Sequence, residues 1–231
     1  VSRAARPHSD RAFEQELRDL REKLLAMGGR VEEQLCRAVE ALVDRDVGLA
    51  NAVRAADADV DRLEVEVDAL CHRMLALRHP AACDLRSVTT ALKLVTDLER
   101  MGDLAVHIAR SAVELSDLPP LRPLGDLSEL AALARAQLQW ALDAYVRGDV
   151  ALAQAVLRKE ALVDAAFSRL FDSLLELMTA DPRNIRRGYA LMSVCRHLER
   201  VGDHARNVAE RVVFLVRGED PRRPPADPPP P

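Results

Sequence analysis

The sequence is poor in aromatic residues and in glycine. Phe, Trp and Tyr together make up 3% of its 231 residues, and only 9 are glycine. Ala, Leu, Val, Arg, Asp and Glu dominate, which is the vocabulary of helices packed on helices. An excess of either charge is missing too: 33 basic and 37 acidic side chains leave a formal net charge of −4. A chain that held nucleic acid by neutralising phosphates would carry a basic excess or stripe, so that class is set aside. No apolar run approaches the roughly 20 residues needed to cross a bilayer. The opening VSRAARPHSD is polar and has no apolar signal region. The four cysteines, Cys36, Cys71, Cys83 and Cys195, form no CxxC pair. They read as reduced thiols rather than as a zinc ribbon or a disulfide scaffold. The expectation is a soluble, cytoplasmic protein without direct membrane insertion, able to work at the inner membrane through partners.

Helical periodicity is nearly continuous along the chain, and 48% hydrophobic content is enough to bury a sizeable core. Amphipathic helices are predicted over about 10–46, 49–78, 82–116, 127–147, 150–180 and 183–217. The second has an apolar ladder of Val53, Ala56, Val60, Leu63, Val67, Leu70, Met74 and Leu77, and Pro80 stops it. The run DLPPLRPLGD breaks the pattern at mid-chain. These signals predict an all-α chain of two tandem antiparallel three-helix bundles. The first covers 1–118, a linker 119–126, the second 127–218, and a mobile Pro-rich tail 219–231.

Within the third and sixth helices one phrase recurs. TDLERMGD begins at Thr96 and RHLERVGD at Arg196. An α-helix turns by about 100° per residue, so Glu99 and Asp103 share a face, as do Glu199 and Asp203. Like charges at that spacing repel by a few tenths of a kcal/mol. Arg100 and Arg200 follow the glutamates by one residue and are expected to point away from the shared face. Gly102 and Gly202 each cost about 1 kcal/mol relative to alanine inside a helix, which implies a packing or site reason. An isolated pair of acids one turn apart is most often a solvated face, and duplication copies a solvated face as readily as a site.

Antiparallel hairpins add a further constraint. Reflecting Glu99 and Asp103 through Pro80 lands on Asp61 and Asp57. Reflecting Glu199 and Asp203 through the Asp181–Pro182 boundary lands on Asp164 and Glu160. Four carboxylates at one height on a helix pair would repel strongly without a cation, and oxygen-only donors suit Mg²⁺, Ca²⁺, Mn²⁺ or carboxylate-bound iron. Equal height is not equal azimuth, and Asp57 and Asp61 lie at the rim of the seam. Glu64 and Asp68 extend the acidic row in the first unit, where the second has Phe167 and Phe171.

These stretches, with HPAACDLR between the second and third helices, resemble the PhoU family of phosphate-uptake regulators over almost the whole chain. The resemblance implies two PhoU domains whose Glu/Asp-x-x-x-Asp motifs hold iron or zinc in some members. Its metal candidates are Glu99, Asp103, Glu199 and Asp203, faced by Asp57, Asp61, Glu160 and Asp164. His107 stands where the second repeat has Asn207 and is weighed as an extra ligand. The implied function is negative regulation of the phosphate-starvation response. In it, a homodimeric, non-catalytic adaptor links the ATPase subunit of the phosphate ABC transporter to a membrane sensor histidine kinase.

Two other readings compete. A carboxylate-bridged di-metal enzyme would use Glu-x-x-His pairs on facing helices, and the chain contains none. No GxxxxGK[ST] loop and no nucleophile–base spacing appears either, so no catalytic residue is assigned. The remaining alternative is a purely structural helical interaction module whose acids serve solubility.

Overall fold

The computed structural model describes residues 9–78, 80, 82–121, 124–219 and 221. Six helices account for nearly all of them: α1 Ser9–Asp44, α2 Val47–Arg78, α3 Ala82–Leu115, α4 Leu124–Arg147, α5 Val150–Ala180 and α6 Ile185–Arg217. No strand occurs among the described residues. A 3-10 turn, Pro182–Asn184, leads into α6, and α4 begins at Leu124 rather than at the expected Leu127. Of the expected tail, 220 and 222–231 lie outside the described residues.

Matching turns close the first hairpin of each repeat. After α1, Arg45 takes φ 60 and Asp46 Oδ1 accepts from the Leu49 amide at 2.9 Å. After α4, Gly148 takes φ 61 and Asp149 Oδ1 accepts from the Leu152 amide at 3.0 Å. A left-handed residue reverses the chain and an aspartate caps the next helix. Glycine adopts that conformation freely, whereas Arg45 pays about 1–2 kcal/mol for it. Its guanidinium offsets the cost by donating to the carbonyls of Leu115, Ser116 and Leu118 where α3 ends.

Helices α1, α2 and α3 pack on one another, α4, α5 and α6 do the same, and α3–α6 and α1–α4 contacts join the two units. The buried side chains form one continuous core. Because α3 meets α1, α2 and α6, it needs apolar surface nearly all round, and Val88, Val95 and Val106 supply a second buried band beside Leu94, Leu98 and Met101. The α2 ladder ends a rung earlier than expected: Met74 is buried, Leu77 is 69% exposed, and Arg78 pairs with Glu16 at 3.2 Å.

Helices α3 and α6 run antiparallel along the seam between the repeats. Arg86 lies against Gly218, Asp97 meets His204, Asn207 and Arg211, His107 meets His197, and Glu114 faces Arg186. These pairings straddle the level of Gly102 and Gly202 about evenly, so an approximate two-fold relates the halves.

Candidate functional site

In the first repeat the half-buried acids of α3 and α2 feel one another. Burial and the neighbouring Asp103 charge push the Glu99 carboxyl up to about 7, against the pull of Arg100. Burial also raises Asp57, helped by the charges of Asp61 and Asp103 and opposed by a hydrogen bond from Gln34 Nε2 at 3.4 Å. Burial raises Glu64 as well, with Asp68, Asp61 and Asp103 adding to it. The charge from α2 that bears on Glu99 is that of Glu64, and the hairpin keeps about the reflected register, with Cys71 Sγ 3.8 Å from the Val88 carbonyl and Asp57 Oδ1 3.6 Å from where a Cβ on Gly102 would stand. Arg100 does not point away as expected. Its Nε lies 3.5 Å from Glu99 Oε2 and its Nη1 3.6 Å from Asp103 Oδ2. The long side chain bends back along the helix surface, because three residues on is again a neighbouring position.

The second repeat brings Glu160 and Asp164 of α5 to Glu199 and Asp203 of α6. Burial raises Glu160, Glu199 and Asp203, and the Asp203 charge adds to the rise at Glu199 while Asp164 adds to it at Asp203. Here an arginine from one turn further along intervenes. Arg206 Nη1 donates to Glu160 Oε1 at 3.0 Å, and its Nε lies 3.2 Å from Glu210 Oε1. Phe167 and Phe171 replace Glu64 and Asp68, with ring centroids 5.7 Å apart and the Arg196 guanidinium 5.8 Å from the Phe167 ring.

The paired glycines make room for buried amides. A Cβ on Gly102 would stand 3.3 Å from Val60 Cγ1 and 3.4 Å from Gln34 Oε1; on Gly202 it would stand 3.0 Å from Gln137 Oε1 and 3.3 Å from Val163 Cγ1. Gln34 is 4% and Gln137 2% exposed. Gln34 Oε1 and both amide heavy atoms of Gln137 have no hydrogen-bond partner, an arrangement that costs stability and yet occurs twice. Sequence reasoning missed both glutamines. Their offset between repeats matches that of Asp57 with Glu160 and of Asp61 with Asp164, which is the signal that would have found them.

Among the described residues, no group of three or more His, Cys, Asp or Glu side chains is arranged to hold a metal ion. The donor chemistry still suits a hard cation or carboxylate-bound iron: all donors are oxygen, and the raised carboxyls of Glu99 and Glu199 are half-buried beside like charges, although Asp61, Asp164 and Asp203 are exposed. The first cluster fits better, since Arg206 already occupies Glu160 in the second. His107 stacks on His197 across the seam, with centroids 5.2 Å apart and the planes at 21°. Burial and the neighbouring His107 and Arg200 hold His197 down at about 4. All four cysteines are free thiols, and burial pushes Cys71 and Cys195 up to about 12.

The family model described as "PhoU domain" matches residues 24–112 and again 127–212. A Pseudomonas aeruginosa protein named phosphate-specific transport system accessory protein PhoU homolog is 43% identical over 93% of this chain and 89% of its own length. A Deinococcus radiodurans protein of the same name is 39% identical over 90% of this chain and 97% of its own. The crystal structure of PhoU from Pseudomonas aeruginosa superposes with a TM-score of 0.87 at 43% identity, covering 90% of this chain and 100% of that one. The phosphate transport system regulatory protein PhoU from Streptococcus pneumoniae superposes with a TM-score of 0.84 at 28% identity, covering 90% and 98%. With two domain matches on two three-helix units, each carrying one LERxGD helix, the chain belongs to the PhoU family.

Proposed function

We propose that this chain is a non-catalytic accessory regulator of a phosphate-specific transport system, and that it represses the phosphate-starvation response when phosphate is plentiful. It works in the cytoplasm as a homodimeric adaptor, touching the transporter's ATPase subunit on one side and a membrane sensor histidine kinase on the other. The reading rests on 43% and 39% identity, over 93% and 90% of the chain, to proteins named for that transport system. It accords with the absence, among the described residues, of any helix long and apolar enough to cross a membrane.

The acidic faces are the adaptor's working surface. Glu99, Asp103, Asp57 and Asp61, joined by Glu64, bind a metal ion, iron or zinc before magnesium, manganese or calcium. Glu199, Asp203, Glu160 and Asp164 form a weaker second site. A bound cation would supply the charge that these carboxylates lack and present a rigid, partly neutralised surface to a partner.

The test is a strain whose own copy is replaced by the Glu99→Gln, Glu199→Gln double variant. Loss of phosphate-dependent repression, with helicity and oligomeric state retained, is expected. Normal repression in that strain would rule out a working role for the acids. Elemental analysis of protein purified without chelator tests the metal separately.

A further inference from the structure

The seam is fastened differently in its two halves. In the half toward the start of α3, five residues before Gly102, Asp97, only 5% exposed, accepts from three side chains of α6: Arg211 Nε at 2.8 Å, Asn207 Nδ2 at 3.2 Å and His204 Nδ1 at 3.0 Å. The approximate two-fold carries 97 onto 197 and 207 onto 107. In the other half, therefore, histidines replace both the acid and the amide, and their rings stack. Leu104 and Ser111 stand where His204 and Arg211 would be needed, so the sequence builds no second cage.

That other half has fastenings of its own. The chain passes there from one repeat to the next, Arg45 holds the carbonyls of Leu115, Ser116 and Leu118, and Arg187 Nη1 donates to the Pro119 carbonyl at 2.9 Å. In the Asp97 half α3 begins and α6 finishes, with no peptide connection between the repeats. Apolar contact along the two helices favours association but tolerates a spread of crossing angles of about ±15–20°. A buried carboxylate with three partners does not, because any slip leaves Asp97 without its hydrogen bonds and Arg211 without its counter-charge.

We propose that Asp97 is a positioning residue that fixes the angle between the two repeats in the half of the seam that the linker leaves free. It sets the spacing of the two acidic faces at the same time: Asp97 stands two residues before Glu99, and His204 follows Asp203 directly. The bolt thus joins the two LERxGD motifs across the seam. It depends neither on the acids binding metal nor on the role in phosphate regulation.

Hydrogen–deuterium exchange and small-angle X-ray scattering on the full chain test it. Asp97→Ala, Asp97→Asn and Arg211→Gln are compared with wild type and with Val67→Ala, a fully buried core truncation that leaves the cage intact. The bolt variants are expected to lose protection on the order of tenfold at 86–98 and 204–218, to keep it at 107–115 and 185–197, and to show a larger radius of gyration. Native protection in the free half in Asp97→Ala would overturn the proposal. So would a loss spread evenly along both helices, as expected of Val67→Ala, because Asp97 would then only add stability. If Asp97→Ala does not fold, Asp97→Asn decides by the same two readouts.

Discussion

In the first repeat Glu99 is half-buried and crowded by Asp103 and Glu64, with Arg100 opposing them at 3.5 Å, and its carboxyl rises to about 7. In the second, Glu160 already holds Arg206 at 3.0 Å, and two phenylalanines stand where the first repeat adds two more acids. Duplication copied the carboxylates and the glycine of each motif, whereas the neighbours that set their electrostatics diverged. Four like charges in register are therefore not four equivalent ligands. The first cluster is short of positive charge, and the second has partly neutralised itself. The two halves of the seam differ in the same way, one bolted by a buried acid and the other held by the linker.

The largest difference is expected between the halves of the seam. Asp97→Ala should cost about 2–3 kcal/mol in urea unfolding, because it removes the acceptor of three half-buried partners, and His197→Ala below about 1 kcal/mol. Equal costs would mean that the two halves are fastened alike. Between the clusters, Arg206→Met should tighten Mn²⁺ binding at the second site by on the order of tenfold in calorimetry, because it removes a positive charge that competes for Glu160. Unchanged affinity would clear Arg206 of blocking that site.

A smaller effect follows from the raised carboxyl at Glu99. An acid whose folded pKa lies above its unfolded value binds more protons when folded, so it destabilises the fold as pH climbs from the usual 4.5 toward about 7. Glu99→Gln should remove that decline and exceed wild type by about 1 kcal/mol at pH 8, after allowance for solvent screening, with no gain at pH 4. Glu199→Gln should show the same sign with a smaller amplitude. Melting curves at the two pH values check both, and a gain at pH 4 would refute the assignment. Smallest of all, Arg196→Gln should cost only about 0.5 kcal/mol through its loose cation–π contact with Phe167. A larger loss would reveal a structural role for the aromatic pair of the second repeat.

Much of this was legible beforehand. The apolar ladder of α2 placed that helix on its neighbours as far as Met74, and Pro80 marked its end. The LERxGD pair also drew attention to Glu99, Glu199 and Asp203, whose carboxyls burial raises. Arg100 and Arg206 were not legible as partners of those acids, because a flexible side chain can bend to positions that a helical wheel assigns to others. Asp97 was hidden for a different reason. It lies on the face of α3 that meets α6, and nothing within its own repeat announces that α6 brings His204, Asn207 and Arg211 to it.

The sequence by itself determined the six helices, their breaks and the duplication, since period, prolines, caps and repeated motifs act over a few residues and need no partner. Tertiary structure decided which acids meet which arginines, why glycine stands above a buried glutamine, and how the repeats are held together. Those outcomes depend on the register and azimuth of helices about a hundred residues apart, which local periodicity does not encode.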